Sequence, residues 1–391
     1  MTPSSPRADG TSAEGGVVKG DGTSAEGGVV TRGGVPSASA AGRLVIGGFS
    51  GTRLPRSFAT ALKEGRRGGA IVFKHNVAGD LAQIAALARE LHAASPDPIL
   101  VGVDQEGGRV ARLGAPLLRV PAMRTVASWG DARLAERIAH AVGDELAALG
   151  MNIVFAPVLD VNTRANNPVI GDRAFGDDAN VCARFGVAWI RGLQAAGVLA
   201  CGKHFPGHGD TTRDSHVDLP VVDQPRERLD AVEIVPFRAA AAAGVAAMMT
   251  AHVVYSAVDP LLPATLSEAA CTGLREAIAF GGMLVSDDLE MQAIASQFPI
   301  EDAAVRAIAA GCDALLVCHD DEKQDRAASA LAREAERSPA FRARCAQALH
   351  RVGTACARSV PRSLDDEAIG RIVGGPESSA VAGEIARRLA G

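Results

Sequence analysis

GVLACGKH, residues 197–204, is a run of small and apolar residues that ends on two basic side chains. Seven further runs share its form: RLVIGGF (43–49), GAIVFK (69–74), PILVGVD (98–104), NIVFAPVLD (152–160), AAMMTAH (246–252), GMLVSDD (282–288) and DALLVCHD (313–320). Continuous apolar runs of this length suit strands of a parallel sheet buried on both faces, because a half-exposed strand would alternate with polar residues. Helical patterns lie between most of them, including LAQIAALARELHAA (81–94), DARLAERIAHAVGDELAALG (131–150) and RERLDAVEIVPFRAAAAAG (226–244). Eight strand–helix units in series predict an α/β fold closed into a (β/α)8 TIM-like barrel. An open doubly wound sheet is the alternative, but no G-x-G-x-x-G follows an early strand.

The runs are polar at their C-terminal ends: Lys74-His75, Asp104-Gln105-Glu106, Asp160, Lys203-His204, His252, Asp287-Asp288 and His319-Asp320. Charged residues that merely mark where a strand surfaces would explain any one of these. They would not explain why the strand starts are comparatively bare. In a barrel these ends converge on the face where βα loops build active sites. The sequence therefore nominates a site rich in Asp, Lys and His.

The chain has 391 residues, 47% of them hydrophobic, and a formal net charge of -5. That balance leaves no concentrated basic face for nucleic acid or an anionic membrane. The seven cysteines are odd in number and lack a C-x-x-C, so they read as reduced core residues of a cytoplasmic protein. The first residues carry no basic segment followed by an apolar run, and no uncharged stretch is long enough to span a bilayer. Residues 1–41 are poor in large apolar side chains and repeat DGTSAEGGVV at 9–18 and 21–30. This composition predicts a disordered extension, since it cannot bury enough surface to offset its ordering entropy. The barrel domain is expected over residues 42–360, completed by helices past residue 321, with a short tail over 361–391.

KHFPGHGDTTRDSHVDLP, residues 203–220, is the densest polar segment and follows the fifth run. It admits two chemistries. His204, His208 and His216, with Asp210 or Asp214, have the ligand atoms of a metal site and would suit a metal-dependent barrel hydrolase. However, Pro206, Gly207 and Gly209 break any helix that would present His204 and His208 together. Alternatively, Asp214 and His216, two apart in an extended loop, can face the same side and form a carboxylate–imidazole acid/base pair. An ordinary structural hydrogen bond between the two is also open.

This segment resembles the hallmark of β-N-acetylhexosaminidases of glycoside hydrolase family 3, particularly the single-domain bacterial type that recycles peptidoglycan. The resemblance implies that Asp214 and His216 are the acid/base dyad and that Lys203 and His204 bind sugar. Three further stretches match in order. VDQEGGRVARL (103–113) implies sugar contacts from Asp104 and Arg112, and NNPVIGDRAFGDD (166–178) implies substrate binding by Arg173. GMLVSDDLEM (282–291) implies that Asp287 is the nucleophile. Its neighbour Asp288 would face away, because consecutive strand positions point to opposite sides. The resemblance runs from about residue 43 to about residue 320. The second α/β domain of many members and the N-terminal extension have no match in it.

The implied reaction is retaining, exo-acting removal of β-linked N-acetylglucosamine from peptidoglycan fragments through a glycosyl-aspartate. It needs no metal or organic cofactor, and the protein is expected to be a monomer that acts on a small saccharide or muropeptide. Two rivals remain open: the substrate's own acetamido group as nucleophile, and phosphate in place of water as glycosyl acceptor.

Overall fold

The computed structural model describes residues 38–211, 219–359, 361–362 and 364–391. The duplicated N-terminal segment, Asp214 and His216 lie outside the described residues. Eight strands form one closed parallel barrel: β1 (Val45–Gly47), β2 (Gly69–Val72), β3 (Leu100–Val103), β4 (Ile153–Val154), β5 (Leu199–Phe205), β6 (Ala247–Thr250), β7 (Met283–Asp288) and β8 (Ala314–Val317). Each falls within one of the eight apolar runs, except that β5 continues one residue further, to Phe205. Every strand pairs with its sequence neighbours, and Val45–Gly47 pairs with Leu315–Val317 to close the ring.

Alternation along the strands separates two layers. Ile46, Ile71, Leu100, Ile153, Leu199, Met249, Val285 and Leu316 point inward and pack with Phe155 and Cys201 as the barrel's own core. Their neighbours Val45, Val72, Val101, Val154, Ala200, Met248, Leu284 and Leu315 face the surrounding helices. Both layers are fully buried, which is why these strands read as unbroken apolar runs. All seven cysteines are buried free thiols.

The helix after β2 spans Leu81–Ala94, and the one before β4 spans Ala132–Ala148. Each is capped by an Asp (Asp80 and Asp131) that accepts backbone N–H bonds of the first turn. The stretch at 226–244 departs from the single helix expected. It divides into Arg226–Ala231 and Ile234–Ala242. Pro236 is the cause: its ring would collide with the carbonyl of Val232 in a continuous helix, but it is tolerated in the first turn of a new one. At the C-terminus, Asp366–Ile372 and Pro376–Ala390 are helices that pack on Ala132–Ala148 through the buried Ile369, Val381 and Ile385. Among the described residues no helix is long and apolar enough to cross a membrane.

The end of the barrel where strands begin is tied by one carboxylate. Asp313, fully buried just before β8, receives Arg275 at 3.0 Å, Arg344 at 2.7 Å and Arg351 at 3.0 Å. It also accepts the Leu284 N–H of β7 at 2.9 Å. Removing it would leave the buried Arg275 guanidinium uncompensated. Asp313→Ala is therefore expected to cost about 3–5 kcal/mol in urea unfolding, while turnover per folded molecule stays at the wild-type level, because the site lies at the opposite end.

Candidate active site

At the C-terminal ends of the strands opens a pocket of about 680 Å³. Asp104, Arg112, Arg173, Lys203, His204 and Asp287 all line it, although they come from four separate strand ends and loops. Of the eight residues singled out in the sequence, these six are brought together. The other two, Asp214 and His216, are outside the described residues.

One side of the pocket is an ion network. Asp104 ends β3, and the chain then turns through a short hairpin over residues 105–111 that returns Arg112 beside it. Gly107 and Gly108 make the turn with φ of 106° and 57°, a region that side-chain-bearing residues rarely enter. Arg112 Nη2 donates to Asp104 Oδ2 at 3.1 Å, and Lys203 Nζ, from β5, donates to Asp104 Oδ1 at 2.8 Å. The same ammonium lies 2.7 Å from Glu106 Oε1. Arg173, in the turn Gly171–Arg173, grips Glu106 with both Nε (2.8 Å) and Nη2 (2.7 Å).

Burial alone would push the Glu106 carboxyl up, but Lys203 and Arg173 outweigh it and hold it far below the usual carboxylate range. Burial would likewise lower Lys203, yet Asp104 and Glu106 raise it. Glu106, Lys203 and Arg173 are thus held in their charged forms, and the guanidinium and ammonium donors are pre-aligned by the carboxylates they bond.

A second cluster positions the imidazoles. Asp160, fully buried at the end of the fourth run, accepts from His204 Nδ1 at 2.7 Å and from the His208 backbone N–H at 2.6 Å. Burial opposes ionisation of Asp160, but His204 and His208 keep it below its ordinary value. An ionised carboxylate only accepts, so Nδ1 of His204 carries the proton and, among the described residues, Nε2 meets no partner on a ring that lines the pocket. His208 stands edge-on to His204 at 5.8 Å, and its Nδ1 meets Thr211 Oγ1 at 2.9 Å. Burial, reinforced by His204, pushes His208 down to about 4, so it is neutral. His204 and His208 are therefore neighbours through a loop rather than a helix. Among the described residues, the His/Cys/Asp/Glu group with metal-ligand spacing is His140, Asp144 and Glu377, none of which lines the pocket.

The two consecutive aspartates of β7 are in different situations. Asp288 Oδ1 accepts the backbone N–H groups of Cys318 (3.2 Å) and Glu290 (3.1 Å), and Oδ2 meets His319 Nε2 at 3.4 Å. Among the described residues Asp287 accepts only the Asp288 N–H, at 2.8 Å, and it lines the pocket. Burial would raise its pKa, but His252, His204, that N–H and Lys203 together hold it below the ordinary value. Opposite, Phe73 is stacked between His75 (5.6 Å) and His319 (5.5 Å) and forms an aromatic wall.

Glu106, Asp160 and this aromatic wall were not singled out from the sequence. Glu106 and Asp160 were visible as polar strand ends, but their partners lie 67 and 44 residues away. No local spacing encodes such a pairing.

Comparison with known proteins identifies the arrangement. Residues 43–355 match the Glycosyl hydrolase family 3 N terminal domain. A beta-hexosaminidase of Thiobacillus denitrificans is 42% identical over 283 residues, which make up 71% of this chain and 78% of that protein. The fold superimposes on a family 3 β-N-acetylglucosaminidase of Paenibacillus sp. str. FPU-7 with a TM-score of 0.84 and 39% identity, covering 91% of this chain and 69% of the other. NagZ from Neisseria gonorrhoeae, solved in complex with N-trifluoroacetyl-D-glucosamine, gives a TM-score of 0.75 at 30% identity, with 88% and 97% covered. The chain belongs to glycosyl hydrolase family 3, and it is a glycosidase of the β-N-acetylhexosaminidase type.

Proposed function

We propose that this protein removes terminal β-linked N-acetylglucosamine from peptidoglycan fragments in the cytoplasm, with retention of configuration and Asp287 as nucleophile. One observation carries the nucleophile assignment. Among the described residues Asp287 is the pocket carboxylate without an ion pair, whereas Asp104, Glu106, Asp288 and Glu290 are each matched to a cation or imidazole. A carboxylate that is ionised yet unneutralised is free to attack an anomeric carbon.

The ion network supplies fixed donors and acceptors for sugar hydroxyls through Asp104, Arg112, Arg173 and Lys203, joined by His204 Nε2. His216, paired with Asp214, would protonate the departing oxygen and then activate the water that releases the sugar. The acetamido sugar is supported by likeness to the Paenibacillus β-N-acetylglucosaminidase and to NagZ, whose bound ligand is an N-acylated glucosamine, and the muropeptide origin by the motif resemblance to the peptidoglycan-recycling type.

A chromogenic β-N-acetylglucosaminide is expected to be cleaved while the matching β-glucoside is not. Asp287→Ala should lower kcat by at least about 10³-fold. A fluorinated substrate analogue should leave a covalent adduct on the peptide that carries Asp287, detected by mass spectrometry. Turnover without any adduct would instead point to the substrate's acetamido group as nucleophile.

Glu106→Gln removes the charge that both Arg173 and Lys203 share. It is expected to raise KM and to lower stability by about 3 kcal/mol at neutral pH. Because the folded pKa of Glu106 is depressed, its stabilisation is complete above the unfolded value of about 4.3 and is lost as pH falls through the folded one. The stability gap between wild type and Glu106→Gln, read by denaturant unfolding, should therefore be constant from about pH 7 to 5 and shrink below about pH 4.

A further inference from the structure

The nucleophile sits where the barrel ladder gives out. Between β6 and β7 the paired register runs from Ala247↔Met283 to Met249↔Val285 and stops there. Toward β8 the register shifts between Val285 and Asp288. The stretch from Ser286 to Asp288 thus lacks regular backbone pairing on the β6 side, although it must hold Asp287 in place. The tie on that side is a side chain. His252, fully buried two residues past β6, has Nε2 2.9 Å from the backbone oxygen of Asp288.

The other ring nitrogen continues the chain. His252 Nδ1 lies 2.7 Å from Thr265 Oγ1, and Thr265 Oγ1 lies 2.9 Å from Thr250 Oγ1. Both threonines are fully buried. A carbonyl oxygen only accepts, so Nε2 must carry the proton. Nδ1 of a neutral ring then needs a donor. Thr265 has one proton and three acceptors in reach, His252 Nδ1 at 2.7 Å, Thr250 Oγ1 at 2.9 Å and the Ala251 oxygen at 3.1 Å, and the nearest is the ring. Burial lowers the pKa of His252, which favours this neutral form.

We propose that Thr250, Thr265 and His252 form a hydrogen-bond relay that fixes the Nε2–H tautomer of His252 and thereby positions the nucleophile. The lever is short: His252 holds the backbone of Asp288 at its carbonyl oxygen, and the N–H of the same residue, one peptide unit earlier, holds the Asp287 carboxylate at 2.8 Å. His252 is a positioning residue and acts through the backbone rather than on the sugar. The proposal rests on Asp287 being the nucleophile, which covalent trapping tests separately. The tautomer itself can be read whatever residue attacks.

Thr265→Val keeps the volume and removes the hydroxyl, and Thr265→Ser restores it. Pre-steady-state glycosylation is expected to slow about 10–100-fold in Thr265→Val with KM nearly unchanged, as befits a displaced rather than missing reactant, and to recover in Thr265→Ser. Selective 15N labelling of the nine histidines should show a buried Nε2–H imidazole in wild type and Thr265→Ser that changes tautomer in Thr265→Val. A folded Thr265→Val that glycosylates at the wild-type rate would overturn the relay. So would wild-type protein in which His252, assigned by loss of its signal in His252→Gln, is protonated at Nδ1 alone, a result that does not depend on the valine variant folding.

Discussion

Closure of the eight parallel strands, completed where Val45–Gly47 meets Leu315–Val317, is the constraint on which everything else rests. A parallel strand must return to the same end before it can pair again, so each strand is followed by a crossover and all C-terminal ends meet on one face. Asp104, Asp160, Lys203, His252 and Asp287 are close in space because of that topology. Closure also removes sheet edges and buries both strand faces, which leaves the two ends as the places where polar groups can be held.

At the end that holds the pocket, desolvation would disfavour ionised groups, and the site is organised around meeting that cost. Glu106 is almost fully buried and tolerable as an anion because one lysine and one arginine converge on it. Asp160 is tolerable because two backbone N–H groups and an imidazole face it. Asp313 does the same work at the other end, with three guanidiniums and no access from the pocket. Against this background a carboxylate held below its ordinary pKa without an ion pair among the described residues is conspicuous. Among the described residues Asp287 has no counter-ion in contact, and the Asp288 N–H together with the basic groups around it, Lys203 among them, holds its pKa below the ordinary value. Among the described residues its oxygens meet a single backbone N–H, while those of Asp288 are taken up by backbone and His319.

Much of the fold was legible along the chain. The runs RLVIGGF, GAIVFK and DALLVCHD already contain the strands, because burial on both faces demands uninterrupted apolar residues. What periodicity missed was the break at Val232, where the helical pattern continues but Pro236, in the first turn of the second helix, excludes the carbonyl of Val232 from a continuous one. The two C-terminal helices were visible only as a tail, since their apolar positions are sparse and gain meaning only against Ala132–Ala148.

The site divides in the same way. Asp104, Arg112, Arg173, Lys203, His204 and Asp287 were named from motifs, each of which lies within about a dozen residues of chain, and they meet in one pocket. The partnerships that set their charge and tautomer were not written locally: Glu106 with Arg173, Asp160 with His204, and Thr265 with His252 join residues from different strand ends or loops. Sequence by itself determined which side chains arrive at the open end of the barrel, because strand period and crossover order are local properties of the chain. Only the tertiary structure decided which of those groups are neutralised and which remain free to react, because electrostatic pairing depends on distance in space and on exclusion of water.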